Sequence, residues 1–423
     1  MSSLWQPCSV HYDIVVEVMD LLINESPEDP DTWQTIGAIS RTCKSLRVEG
    51  VRRLLSSTVY VNLMHQPHLV SNFCDFMLSD PVGRGPNLRR LSVYVQHIEE
   101  EVARLFADVL SLSINLEYLE IKSLFMVTKP VIGTLCSALS ALTSLQHLTI
   151  GFCRCDDPSY SQILYHTFQS IQSSLISVQI SIPHFTKLPS RRIIYTRNLD
   201  PISLMSRLTG SLRKMGFKGM FMWGGGIRVY TLVEELQIPD YSLGLPHLRT
   251  YLLCFPNLRR LRCGFLYHTW IHYGHDTDVL QEVCCHAATI QQWHDFNKRQ
   301  SSKHADSWAM LQSFRGSIVD AYVLSLPCRV EHLHLLSTGG RPSTQYAMMS
   351  TILSDTRPSS LRLCLRIYDS GYQIPLRPSW SQSLTTLEVR INIVKHMFDL
   401  QGCVVSHLTG MHLFRSSHLM EVI

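Results

Sequence analysis

The stretch Asn87–Val95, NLRRLSVYV, returns 170 residues later as NLRRLRCGF, from Asn257 to Phe265. Both contain Leu-x-x-Leu-x-apolar. The same pattern stands at Leu88/Leu91/Val93, Leu116/Leu119/Ile121, Leu145/Leu148/Ile150, Leu175/Val178/Ile180 and Leu212/Met215/Phe217. It continues at Val233/Leu236/Ile238, Leu258/Leu261/Cys263, Val330/Leu333/Leu335, Leu384/Leu387/Val389 and Leu408/Met411/Leu413. The first positions of these ten copies are 28, 29, 30, 37, 21, 25, 72, 54 and 24 residues apart. The two long gaps hold degenerate copies, LQSFRG at Leu311 and SLRLCLRI around Leu361. Two apolar residues flanking one polar residue make a short strand with one buried face. Between copies the spacing turns helical. Residues 99–112 align Val102, Leu105, Phe106 and Val109; residues 130–142 align Ile132, Leu135, Cys136 and Leu139; residues 160–171 align Ile163, Leu164, Phe168 and Ile171.

One strand and one helix per 24–30 residues resembles the leucine-rich-repeat family in an irregular form. Asn or Ser often precedes the first Leu. The family's later Asn or Cys position is approached only at Cys153 and Cys263. The resemblance implies an α/β fold, a curved solenoid of stacked strand–helix repeats. An ordinary α/β domain whose strands contain Leu-x-x-Leu is the competing reading.

Ahead of the repeats the pattern changes. Residues 8–24 place Val10, Ile14, Val18, Leu21 and Leu22 along a helical stripe. The acidic loop ESPEDPDT follows, and Asp31 with Gln34 reads as a capping box for a helical segment over 32–55. Gly37 and Gly50 predict a break or close packing there. Asp13–Val18, then SRTCKSLR from Ser40 to Arg47, then VRRLL from Val51 to Leu55 resemble an F-box. The family's opening Leu-Pro is replaced by Val10-His11. Together with the array, this chain is similar to fungal F-box proteins with irregular leucine-rich repeats. The expected organisation is an all-α F-box-like module over 8–56, a connection over 57–86, and a repeat solenoid over 87–423. The segment 266–310 reads as an insertion in it, either an irregular repeat helix or a flap over the concave face.

The resemblance implies a substrate receptor, not an enzyme. Its F-box would bind a Skp-type adaptor, and through it a cullin–RING ubiquitin ligase, while the repeats hold a protein substrate. The adaptor-facing candidates are Val10, Ile14, Val15 and Val18, with Ile39 and Leu46 from the later helix. Strand alternation turns Arg90, Tyr94, Tyr118, Lys122, His147, Lys214, Arg260, Arg262, His332, His334 and Arg390 to the concave face. That face is richer in cations and rings than in acids, which suits an acidic or phosphorylated segment. A leucine-rich scaffold with a degenerate F-box, binding a partner without ubiquitin transfer, is the alternative. A hydrolase or metal enzyme is a third reading, and would need a compact pocket.

Composition narrows the classes. The 423 residues exceed one compact core, and 45% are hydrophobic against 17% charged, which describes an ordered chain. A net charge of +4 with scattered Lys and Arg argues against nucleic acid. No apolar run approaches the roughly 18–20 residues of a membrane span. No secretory signal is read at the N-terminus. Thirteen irregularly spaced cysteines then point to reduced thiols in the cytoplasm or nucleus. Among 20 histidines the tightest group is His268, His272 and His275 with Cys284, Cys285 and His286. It lacks a Cys-x-x-Cys pair, so neither metal nor cofactor is expected. The MWGGG run from Met222 lacks the Lys-Ser/Thr ending of a phosphate loop.

Overall fold

The computed structural model describes residues 11–25, 29–62, 68–94, 98–124, 128–152, 159–182, 200–218, 220, 228–240, 248–264, 287–303, 308–337, 342–367 and 383–393. The chain divides into two compact units, 1–183 and 184–423. The described part is α/β, with parallel strands alternating with helices in an order compatible with a solenoid-like repeat.

The first unit opens with α1 (Tyr12–Glu25), α2 (Pro30–Ser40) and α3 (Lys44–Ser56). It continues as β1 (Thr58–Asn62), α4 (His68–Leu78), a short α5 (Pro81–Arg84), β2 (Arg90–Tyr94), α6 (Glu100–Leu112) and β3 (Tyr118–Leu124). The unit ends with α7 (Lys129–Ala141), β4 (His147–Phe152), α8 (Ser159–Ser170) and β5 (Ser177–Ser181). Strands β1 to β5 pair in parallel in sequence order, each connection crossing back through helix.

Register aligns the repeat positions. Leu91, Leu119, Leu148 and Val178 form one inward row, and Val93, Ile121, Ile150 and Ile180 the next. All are buried, as are the first-position Leu88, Leu116, Leu145 and Leu175. The residue ahead of the first Leu has a separate role. Asn115 Nδ2 donates to the Pro86 carbonyl at 2.8 Å, and Ser144 Oγ to that of Leu116 at 2.9 Å. Asn257 does the same towards Thr231, at 2.8 Å. Each side chain thus satisfies a carbonyl one repeat back, stitching neighbours together where no strand pairs them.

The sheet begins earlier than the leucine pattern does. β1 lies within 57–86, the expected connection, and pairs with β2 with Val61 opposite Val93. Ser56 stands three residues before Val59, where Leu-x-x-Leu would need a leucine, so this strand does not announce itself. The face of α7 is the expected one, with Ile132, Leu135, Cys136 and Leu139 buried. α6 is rotated slightly: Ala103, Phe106, Val109 and Leu110 are buried, and Val102 and Leu105 sit at the edge.

Among the first three helices Met19, Ile36 and Leu46 form the core, with Val15, Val16, Leu22, Ile23, Ile39 and Leu54 packed around them. Asp29, not Asp31, caps α2, its Oδ1 accepting from Asp31 N at 3.2 Å. Pro30 explains the shift, because its fixed φ starts the helix one residue before Asp31. The expected segment 32–55 breaks at Arg41–Cys43 rather than at a glycine, and Cys43 Sγ then caps α3 at 3.5 Å from Leu46 N. Gly50 serves close packing: a Cβ there would lie 1.7 Å from Ser40 Oγ. Arg53, its side chain 9% exposed, ties α3 to α1 through Nε–Oδ1 and Nη2–Oδ2 bonds to Asp20 of 2.6 and 2.9 Å, and also meets Glu49. This fork holds the Asp20 carboxyl below its ordinary range.

The second unit runs α9 (Pro201–Leu204), β6 (Lys214–Lys218), β7 (Glu235–Asp240), α10 (Leu248–Cys254), β8 (Arg260–Cys263), α11 (Ala287–Ser302) and β9 (Met310–Ser317). Then come α12 (Ile318–Leu324), β10 (Arg329–Leu336), α13 (Pro342–Thr356), β11 (Ser360–Ile367) and β12 (Thr386–Ile393). Strands β6 to β12 are parallel and sequential. Both degenerate copies are therefore true strands, β9 and β11. The described part of the expected insertion is a repeat helix, α11, between the paired strands β8 and β9. Its Asn297 accepts from Leu248 N of α10 at 3.1 Å and donates to the Val323 carbonyl of α12 at 2.8 Å. Residues 265–286 lie outside the described residues, as do Val10, Cys153, the Met222 run and the copy at Leu408/Met411/Leu413.

Candidate functional site

Two kinds of surface stand apart from ordinary packing. The first is on α1. Val15, Met19 and Leu22 face the three-helix core, and the neighbouring positions Ile14, Val18 and Leu21 form a second apolar stripe at i, i+4 and i+7. Their exposures are 55%, 42% and 53%. Val48 on α3 is 67% exposed. Of the expected adaptor residues, Ile14 and Val18 lie on this open stripe. Val15 and Ile39 are half-buried against the core. Leu46 lies within the core, touching the cluster of Met19 and Ile36, and so is a packing residue. Its helix turns that position inward, which apolar spacing alone does not distinguish from an open stripe.

The second kind is the outward strand face, which differs between the units. In the first, Arg90, Tyr118 and His147 align across β2, β3 and β4. The Arg90 guanidinium lies 5.3 Å from the Tyr118 ring centre, and that ring is 6.3 Å from His147. The next row joins Ser92 to Glu120, whose carboxylate accepts from Ser92 Oγ at 2.7 Å and pairs with Lys122 at 2.8 Å. Tyr94 is half-buried at the end of β2. This face is aromatic and locally neutralised.

In the second unit, Lys214 and Arg260 flank Glu235 at 3.3 and 3.9 Å. The following row is different. Arg262, Arg315, His334, Arg362 and Glu388 are register partners across β8 to β12. Glu388 accepts from Arg362 Nε at 2.5 Å and from Arg390 Nε at 2.7 Å. Arg262 and Arg315 form no ion pair among the described residues. Burial, then the charges of Arg262 and Arg362, hold Arg315 below the usual arginine range. His332, two residues earlier on β10 than His334, is exposed near Glu331 at 3.8 Å.

Sequence reasoning missed Arg315 and Arg362 because it set aside both degenerate copies. Their signal was present: each occupies the place between two inward residues, Phe314 and Gly316 or Leu361 and Leu363. Pro358 stands where β11 would have its first Leu, which makes that copy degenerate.

His334 Nε2 lies 3.3 Å from Cys364 Sγ. Burial, reinforced by Arg315, Arg362 and Arg390 against Glu388, pushes His334 down to about 4. Burial also raises the Cys364 thiol, so the contact is between neutral groups and not an activated thiolate pair. A proton consequence follows. Unfolded histidine titrates near ~6.5, so the stability held by neutral His334 is fully present above that value and lost as pH falls towards about 4. His334→Gln should flatten the fall in urea midpoint between pH 7 and pH 5, measured against the parent chain.

The remaining chemistry is quiet. The described cysteines form no disulfide, and burial pushes Cys74 up to about 12 and Cys136, Cys254 and Cys328 up to about 11. Among the described residues no three His, Cys, Asp or Glu side chains gather as metal ligands. The histidine and cysteine group at His268–His286 lies outside them. No described helix is long and apolar enough to cross a membrane. No protein-family model matches the chain, and no curated protein shows significant similarity to it.

Proposed function

We propose that this chain is the substrate-recognition subunit of an SCF-type cullin–RING ubiquitin ligase. The first three helices act as an F-box that binds a Skp-type adaptor, and the repeats are a leucine-rich solenoid that holds a protein substrate. The observation that carries this reading is the open Ile14/Val18/Leu21 stripe on a small three-helix module, placed directly before a strand–helix array. Such a module has little core of its own, and an apolar stripe beside that core is suited to a helical partner. The receptor performs no chemistry. It raises the effective concentration of substrate near the ubiquitin-loaded enzyme, as tethering does in general. Such a receptor works in the cytoplasm or nucleus, where its ligase resides.

The test is direct binding of the full-length chain to a purified Skp-type adaptor, read by calorimetry and co-elution. A stable complex is expected; no complex at tens of micromolar would remove the ligase reading. A second reading rests on Val10-His11, which replaces the Leu-Pro of the family. There the chain is a scaffold with a degenerate F-box that binds its partner without ubiquitin transfer. In that case the native chain fails to bind, and the double change Val10→Leu with His11→Pro creates binding.

A further inference from the structure

We propose that a narrow cleft between α11, α12 and α13 binds a primary alkylammonium group, the head of a lysine side chain in a partner protein or of a free small amine. His294 of α11, Ser325 at the end of α12 and Asp355 of α13 all line this cleft. It belongs to the helices of the second unit and not to the outward strand face. It is independent of the ligase reading.

His294 is 4% exposed, and its ring stacks on Tyr322 with centres 4.1 Å apart. Its Nδ1 lies 2.7 Å from the Tyr322 carbonyl, which can only accept, so Nδ1 carries a proton. In the neutral ring Nε2 is then an acceptor, and it has no partner among the described residues. Ser325 is 6% exposed, and its hydroxyl likewise has no partner among them. Its backbone is left-handed, with φ 45°, at the end of α12, where glycine is the usual residue. Serine there carries strain that glycine would relieve, and what it adds is a hydroxyl at the cleft. Thr351 and Thr356, also at the cleft, donate to the Ala347 and Ile352 carbonyls at 3.2 and 2.7 Å, which leaves them only lone pairs. With the Asp355 carboxylate the cleft is rich in acceptors and short of donors. The cation beside Asp355 is Lys298, more than half exposed and only loosely placed, at 3.8 Å.

A group that satisfies these atoms must carry positive charge and donate in several directions. An ammonium spreads three donors tetrahedrally, which suits acceptors supplied by three different helices. A guanidinium donates in one plane, towards paired oxygens, and is too broad for a narrow cleft. A metal ion would need more ligands, and no three His, Cys, Asp or Glu side chains gather among the described residues. Ala321, Leu326 and Ile352 line the same cleft and offer apolar surface to the methylenes behind the head. Ser325, His294 and Asp355 are not a hydrolytic triad. The His294 Nδ1 is held by a carbonyl and not by Asp355, and Ser325 makes no bond to Nε2.

The experiment titrates the full-length chain into three labelled degenerate peptide libraries, fixed centrally on lysine, norleucine or arginine, and reads fluorescence anisotropy. The lysine library should bind at least about tenfold more tightly than the norleucine library, a difference of about 1.4 kcal/mol, with the arginine library behind it. Millimolar n-butylammonium should compete. Asp355→Asn and Ser325→Gly should each remove most of the preference for lysine. Ser325→Gly should also hold or raise the melting temperature, because glycine adopts φ 45° without strain, and this separates lost binding from lost folding. His294→Asn, which keeps a donor for the Tyr322 carbonyl but loses Nε2, should weaken binding as well. Lys298→Gln removes the competing cation and should tighten it. Asp295→Asn, at an exposed acid of α11 outside the cleft, should change nothing. Equal binding of the lysine and norleucine libraries, no binding of any, or arginine matching lysine would each overturn the proposal. So would a failure of n-butylammonium to compete, or parent-like binding by both Asp355→Asn and Ser325→Gly. Pentane-1,5-diamine binding more tightly than the lysine library names a free amine as the source, and the reverse order names a partner's lysine.

Discussion

Phe314→Ala should destabilise the second unit by about 3–5 kcal/mol, the range for removing a buried aromatic ring, read as a lowered urea midpoint of the full chain. Phe314 is fully buried and sits in register between Leu261 of β8 and Leu333 of β10. Two residues on, where the other strands place Val, Ile, Leu, Phe or Cys, β9 has Gly316. A Cβ at Gly316 would lie 2.9 Å from Phe314 Cζ and 3.3 Å from Cys263 Cβ. One ring therefore fills two inward positions, and its loss leaves space that no neighbouring side chain on β9 can enter. The converse change tests the same packing. Gly316→Ala should cost about 1–3 kcal/mol by crowding the ring, and clearly less when Phe314→Leu has already shortened it. Equal costs in the two backgrounds would show that something other than the ring excludes a side chain at 316.

Ile14→Asp combined with Leu21→Asp should weaken adaptor binding by at least about 100-fold while leaving the melting temperature nearly unchanged. The large effect is expected because two apolar side chains that would be buried by a partner become charges that must be desolvated. The small stability effect is expected because both positions are about half exposed and outside the Met19/Ile36/Leu46 core. Leu46→Asp is the contrasting variant. It should unfold the three helices outright, since it places a charge inside that core. Adaptor binding that survives the double change would exclude this stripe as the docking surface, even if the ligase reading stands.

The strand half of the fold was legible because its signal is local. Leu91, Val93, Leu119 and Ile121 alternate within single strands, and a period of two needs no knowledge of neighbours. The places where reading failed are those where a neighbour supplies what the pattern omits. β1 lacks its first leucine because Ser56, at the end of α3, stands there. β11, with Pro358 in that position, and β9, with Gly316 beside the large Phe314, are legible only as degenerate copies. The helix entry at Asp29 was misread by two residues because Pro30 set the start.

The candidate surfaces divide in the same way. That Arg90 and Arg260 point outward follows from alternation. That Arg260 is balanced by Glu235 while Arg262 faces Arg315 depends on which residues meet across strands.

Sequence by itself determined the repeat, the strand–helix alternation, the inward leucine rows and the existence of a separate helical start, because each is written in the spacing of apolar residues along the chain. Tertiary structure alone decided which stripe of α1 stays open, that Leu46 is core, and that four arginines from β8, β9, β11 and β12 share one face with a single acid. Register between strands brings together residues from Arg262 to Arg390, and no periodicity along the chain records what lies beside a residue one repeat away.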